Sequence, residues 1–266
     1  MSHATSGSAA PPAREPLSAA LEEGGRVLWL TLDAPKANVL DARMIRAIVQ
    51  QLEEHGDRSE LRAIVFEGAG PNFSFGASVA EHQKDQAPAM LASFHGLFRR
   101  LDALAIPTLA VVRGACLGGG LELASWCSWV FASPEATFGQ PEIKLAVFAP
   151  MASIILPWKL GGAAAIDLCV SGRSLDASEA AALRLVHEVA ARHADAARAF
   201  LHQHILPRSA SSLRFAERAV RGELSRALSD RLPGLERLYV EELMQTPDAN
   251  EGIASFLERR AAQWVC

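Results

Sequence analysis

Three consecutive glycines, Gly118, Gly119 and Gly120, lead into Leu121-Glu122-Leu123-Ala124, and a second glutamate, Glu142, ends the run Phe138-Gly139-Gln140-Pro141-Glu142. These residue types permit a particular chemistry. A tight glycine turn leaves backbone N–H groups free, and those donors, with the positive end of a helix beginning near Leu121, can stabilise an oxygen that gains negative charge during a reaction. Glu122 falls in the first turn of that helix, where the dipole favours a carboxylate. Its neighbours Leu121, Leu123 and Ala124 predict an apolar setting that raises its pKa. Read singly, the two residues have plainer interpretations: a glutamate in a helix turn and a glutamate on a loop.

Positioning such groups requires strands and helices around them. The apolar run from Thr108 to Val112 before the glycines predicts a strand, and Pro107 ends what precedes it. Val27 to Leu32 and Ala63 to Glu67 predict two more strands. Asp41 is a candidate N-cap for a helix whose apolar residues Met44, Ile45, Ile48, Val49 and Leu52 recur at helical spacing. Met90, Leu91, Phe94, Leu97, Phe98 and Leu101 form a second helical stripe, read as core. Further on, Asp176 or Ser178 caps a helix with Glu179 in its first turn, and Leu185 to Val189 predicts a short strand. From Asp195 onward the pattern is helical, with breaks expected near Pro207, Gly222, Pro233 and Pro247. Periodicity alone gives an α/β chain.

The block GACLGGGLELA, followed by FGQPEIKL, resembles the signature of the crotonase (enoyl-CoA hydratase/isomerase) superfamily. PKANVLDARM, FSFGAS, SGRSLDASEA and EGIASFLERR fall in that family's order and spacing, from Leu17 to Trp264. The resemblance implies an α/β fold, a crotonase-like superhelix of ββα units with a C-terminal helical region that builds trimers or pairs of trimers. The corresponding division is a disordered tail over 1–16, an α/β core over 17–194 and a helical region over 195–266. The substrate implied is an acyl-CoA thioester, coenzyme A being part of the substrate and no other cofactor or metal being needed. Glu122 and Glu142 match the family's two catalytic glutamates, and the N–H groups of Ala77 and Gly119 match its oxyanion hole. Lys36, Ala37 and Asn38 match a loop that lines the coenzyme site, while Phe256 and Arg259 match an aromatic and a cation near the adenine and 3′-phosphate, often across a subunit boundary. Ser78 stands where many hydratases have Asp. After Glu142, the segment Leu145-Ala146-Val147-Phe148-Ala149-Pro150 replaces a glycine-rich stretch that walls the acyl pocket. With Phe148, Ala149 and Pro150 it is similar to the branch that hydrates cyclic dienoyl-CoA esters in anaerobic aromatic degradation.

Composition narrows the alternatives. The chain has 266 residues, half of them apolar by the 50% count, enough for a large core. A net charge of −4, with Lys and Arg scattered, gives no footprint for nucleic acid or an anionic membrane. No apolar run reaches the ~18 residues that span a bilayer. Cys116, Cys127, Cys169 and Cys266 form no CxxC pair, as expected of reduced thiols in a cytoplasmic protein. The eight histidines, His82, His95 and His187 among them, occur in no Ser-His-Asp or HExxH setting. Within the family, a straight-chain hydratase, an isomerase and a decarboxylase compete with the cyclic dienoyl-CoA reading. Outside catalysis, a CoA-ester-binding or RNA-binding homologue competes as well; the acidic balance speaks against RNA and the glutamate pair against an inactive homologue.

Overall fold

The long apolar runs become strands that are covered on both faces, which is why they lack polar alternation. The protein is described here by a computed structural model covering residues 15–34 and 37–265; the first fourteen residues of the tail expected over 1–16, and Lys36, lie outside the described residues. A hairpin of β1 (Leu17–Glu22) and β2 (Val27–Leu32) leads through α1 (Ala42–His55) to β3 (Ala63–Gly68), and α2 (Ala87–Leu104) leads to β4 (Thr108–Val112). Next come β5 (Ala115–Leu117), α3 (Gly119–Trp126), β6 (Trp129–Ala132), β7 (Thr137–Gly139), α4 (Ala152–Leu160) and α5 (Gly162–Ser171). The chain closes with β8 (Ser174–Asp176), α6 (Ala177–Ala182), β9 (Glu188–Val189), α7 (His193–Phe200), α8 (Ala210–Arg237) and α9 (Pro247–Glu258).

The larger sheet has the order β1-β2-β3-β4-β6-β9, with only the β1–β2 pair antiparallel; the smaller has the order β5-β7-β8. Alternate residues of each buried strand serve two cores. Leu28, Leu30, Ile64, Phe66, Ala110 and Val112 face α1, α2 and the later helices, whereas Val27, Trp29, Val65, Leu109, Val111 and Phe131 face α7 and the turn after it. Loops are ordered by the same parallel repeat. Leu40 bridges Ala77, Ser74 bridges Cys116, and β5 pairs in parallel with β7. Each turn of chain therefore stacks its connecting segment on the one before, which brings loops from distant sequence to one edge.

Caps foreseen in the sequence are present. Asp41 accepts from Arg43 N and Met44 N, and Asp176, not Ser178, forms a reciprocal capping box with Glu179. The expected breaks at Gly222 and Pro233 do not occur, because α8 runs through both. Arg221, Leu224, Leu228 and Leu232 bury one side of it, while Pro233 is exposed, so the carbonyl that loses its partner can be hydrated. The strand foreseen over Leu185 to Val189 shortens to β9, since Leu185 and Val186 instead end the α6 turn with N–H bonds to Ala180 O.

Asn38 ties the loop layer together. With φ at +45°, it donates from Nδ2 to the carbonyls of Ala69, Asn72 and Phe73, and its Oδ1 accepts from Ala34 N. Asn38→Ala strips three carbonyls of a shared donor and should lower the urea-unfolding free energy by roughly 2–4 kcal/mol. A loss below ~0.5 kcal/mol, the range of an ordinary surface change, would show that the loops hold without it.

Candidate active site

The glycine turn is built to bring two loops into contact. Gly118 has φ +53° and ψ −126°, a backbone conformation closed to residues with a side chain, and a Cβ there would lie 2.6 Å from Glu142 Oε1. Its N–H donates to Gly139 O at 2.9 Å, joining the turn to the end of β7 just before Glu142. Gly76, at φ +96°, closes on the other side, where a Cβ would lie 3.0 Å from Gly119 N; one on Gly119 would lie 3.1 Å from Ala77 N. The two N–H groups named from the sequence are thus neighbours. Among the described residues Ala77 N–H has no backbone acceptor, and Gly119 N–H is a first-turn donor that α3 leaves free.

Glu122 is 5% exposed and its Oε1 accepts from Ala152 N, the first residue of α4, at 2.7 Å. Glu142 sits in a 3₁₀ turn, Pro141–Leu145; the residue is half-buried, but its Oε2 is enclosed and without a partner among the described residues. Burial pushes both carboxyl pKa values well above the ordinary range. The charge of Glu142 raises that of Glu122 further, and the Ala152 and Met151 N–H groups hold it back. Gln140 opposes the rise at Glu142, though its buried amide makes no hydrogen bond of good geometry. Two such groups suit one acid and one base near neutral pH.

Both glutamates, Ala77, Phe148, Ala149 and Pro150 line a single cavity of about 20 Å³, so the structure unites the two glutamates, one oxyanion donor and the expected acyl wall. That volume admits about one water, which needs ~10–15 Å³, and is far below the ~150 Å³ of a cavity that takes benzene. A group larger than a water could enter only by displacing part of the wall. Ala37 and Asn38 line a separate groove of about 260 Å³ with Asp33, Ala34 and residues 69–72. Ala37 O accepts from Phe75 N, and Asn38 uses both its backbone and its amide within the chain, so Asn38 shapes this groove rather than offering free polar atoms to it. Phe256 and Arg259 lie at the exposed end of α9, outside the lining of the glutamate cavity.

Three polar side chains in that lining have no assigned role in the sequence reading. His95 is buried and donates from Nδ1 to Glu236 Oε1 at 2.7 Å, and His82 bonds Ser78 O at 2.8 Å; burial lowers the pKa of both. The third is Tyr239, which is 1% exposed. His95 carried one legible signal, a polar residue inside the apolar stripe of α2. Among the described residues no group of three or more His, Cys, Asp or Glu is placed to hold a metal ion, and no helix is long and apolar enough to cross a membrane.

A family model described as enoyl-CoA hydratase/isomerase matches residues 22–265. The chain belongs to this family. Its fold is the crotonase fold: a solved enoyl-CoA hydratase from Mycobacterium avium subsp. paratuberculosis superposes with a TM-score of 0.82 at 26% identity, over 94% of this chain and 99% of that one. Among curated relatives, a cyclohexa-1,5-dienecarbonyl-CoA hydratase of Thauera aromatica is 48% identical over 95% of this chain and 98% of its own length. A probable enoyl-CoA hydratase of Mycobacterium bovis is 36% identical over 92% and 96%.

The raised carboxyl pKa values give a signed pH dependence. The folded state keeps protons that the unfolded chain releases above the usual glutamate pKa, so this stabilising contribution is full below that value and is lost as pH rises through the folded pKa values. Relative to wild type, the Glu122→Gln, Glu142→Gln double variant should gain stability between pH 5 and pH 8 in urea titrations. A constant difference across that interval would contradict the assigned burial of the pair.

Proposed function

We propose that this enoyl-CoA hydratase-type lyase adds water to an α,β-unsaturated acyl-CoA, with cyclohexa-1,5-diene-1-carbonyl-CoA as its preferred substrate. The observation that carries the reading is the presence of Glu122, Glu142, Ala77 and Phe148 around one water-sized cavity. In this reading, Ala77 N–H and Gly119 N–H hold the thioester oxygen as it becomes an enolate, each donor lowering the barrier by ~2.7–4 kcal/mol. One glutamate takes a proton from water while the oxygen bonds to the electrophilic carbon of the conjugated system; the other delivers a proton to the resulting enolate. Apart from the coenzyme A of the substrate, the chemistry calls on no cofactor.

The ring preference rests on the acyl wall and on the 48% identity to the Thauera aromatica enzyme. Phe148 packs against Tyr239 with ring centroids 5.5 Å apart, and Pro150 limits the backbone beside it. A planar ring fills a short, stiff slot with little rotamer entropy to lose, whereas a long acyl chain loses more. One set of kinetics tests both parts of the proposal. With wild type, kcat/KM for the ring ester should exceed that for crotonyl-CoA and a C8 enoyl-CoA by about tenfold, ~1.4 kcal/mol of transition-state discrimination. Glu122→Gln and Glu142→Gln should each lower turnover by ~10² or more, with the double variant little worse than the poorer single one. Equal use of linear esters would return the protein to the straight-chain hydratases, and full activity of Glu142→Gln would indicate a one-glutamate isomerisation.

We further propose a cytoplasmic homotrimer, or pair of trimers, in which Phe256 and Arg259 meet the coenzyme bound to a neighbouring subunit. Exposed Phe215, Val220, Leu238 and Phe256 on the helical region support an apolar contact between copies. Arg259→Ala should weaken a CoA ester several-fold but leave its dephospho-CoA counterpart unchanged. Equal affinities before and after the change would remove Arg259 from the coenzyme site.

A further inference from the structure

Tyr239 is the chain's one tyrosine, and its hydroxyl is enclosed without a hydrogen-bond partner among the described residues. Packing does not call for that oxygen. Phenylalanine would fill the same space against Phe148 without burying an unsatisfied polar group. Its position is also well constrained. Glu236, near the end of α8, receives His95 Nδ1 at 2.7 Å and Arg99 Nη2 at 2.9 Å, which fastens the helix end to α2. Beyond this clamp the chain makes one π-helical turn, Leu238–Glu242, a distortion frequent at functional sites, and Tyr239 enters the glutamate cavity from it.

We propose that Tyr239 is a substrate-contacting residue whose hydroxyl hydrogen-bonds the oxygen being added, first as water beside the glutamates and then as the product's alcohol. The inference rests on the hydratase reading above. A cavity of about 20 Å³ bounded by Glu122, Glu142 and Tyr239 leaves a water-sized oxygen little room to sit away from any of the three. Burial, followed by the charges of Glu142 and Glu122, pushes the phenol pKa upward, so Tyr239 stays neutral and can both donate and accept. It is not a third acid or base. Its effect is to orient the oxygen and to favour acyl groups hydroxylated at the hydrated carbon over the same groups without the hydroxyl.

The test compares two inhibitors of ring-ester hydration in wild type and Tyr239→Phe: the hydroxylated product, and cyclohex-1-ene-1-carbonyl-CoA, which has the ring without the hydroxyl. Tyr239→Phe should weaken the product about tenfold, ~1.4 kcal/mol, and leave the deoxy ester within about twofold. Turnover should fall while KM for the unsaturated ester holds. Glu236→Gln, which loosens the clamp but keeps the phenol, should shift both inhibitors together. Equal effects of Tyr239→Phe on both inhibitors, or no effect on either, would overturn the proposal. Because Tyr239 is unique in the chain, biosynthetic 3-fluorotyrosine gives a single ¹⁹F signal that reads the same contact if Tyr239→Phe fails to fold. That signal should move with the product and stay near its free position with the deoxy ester; identical shifts would overturn the assignment. A wild-type protein that hydrates no ester would instead refute the hydratase reading itself.

Discussion

Two carboxyl groups forced into one nearly dry space set the terms for the rest of this molecule. Buried carboxylates that repel one another would ordinarily move apart or draw in water. Here neither can move far. Glu122 is fixed in the first turn of α3 and held by Ala152 N–H, while Glu142 is carried on a turn directly after β7. The absent Cβ of Gly118 makes room for Glu142, and the bond from Gly118 N to Gly139 O keeps turn and strand in register. Strain on the pair is thus resisted by the β5–β7 pair and by α3 and α4 together, and not by one loop.

That dependence explains the stacked architecture. One helix could bring two glutamates together only at i, i+3 or i, i+4, with both on the same element and moving with it. The parallel rungs Leu40–Ala77, Ser74–Cys116 and β5–β7 instead deliver a donor, a glycine turn and a second carboxylate from separate turns of chain to one edge. Strands buried on both faces resist sliding, because a one-residue slip would exchange the residues of the two cores.

The sequence was most legible where a residue type performs a local task. Asp41 and the Asp176–Glu179 box announce helix starts by cap chemistry, β2 to β4 announce themselves as apolar runs, and Glu122 and Glu142 stand at positions fixed by motif. Where tertiary contacts decide, the sequence said less. β1 is an exposed edge whose pattern carries no apolar period, β5 and β8 have only three residues each, and Pro233 reads as a break until the buried side of α8 is known. Asn38 matches a coenzyme-lining loop in motif, and of the four internal hydrogen bonds that make its side chain a brace, three reach a loop too far along the chain to be read from spacing. Tyr239 and His95 could not be assigned to the cavity from spacing, since the clamp that brings them there joins residues far apart in the chain.

Among the described residues, Glu142 Oε2, both amide atoms of Gln140 and the Tyr239 hydroxyl are buried without partners at or beside the glutamates, while others such as Ser133 Oγ and His193 Nδ1 lie elsewhere. In a site that only had to be stable, such groups would be replaced by apolar ones or paired with each other. Their retention at one place fits a pocket whose hydrogen bonds are completed by the reacting molecule. Groups already oriented and dry need no reorganisation as charge develops, so their interactions can strengthen toward the transition state instead of being satisfied beforehand. The small cavity acts in the same direction. An acyl group that can open the wall formed by Phe148 and Tyr239 and then let it close supplies the missing partners and keeps bulk water out, whereas one that holds the wall open leaves both glutamates solvated and their proton affinities back near the ordinary range. Under the proposed function, substrate choice and carboxyl tuning are therefore one property of the site, set by how well the occupant restores its closure.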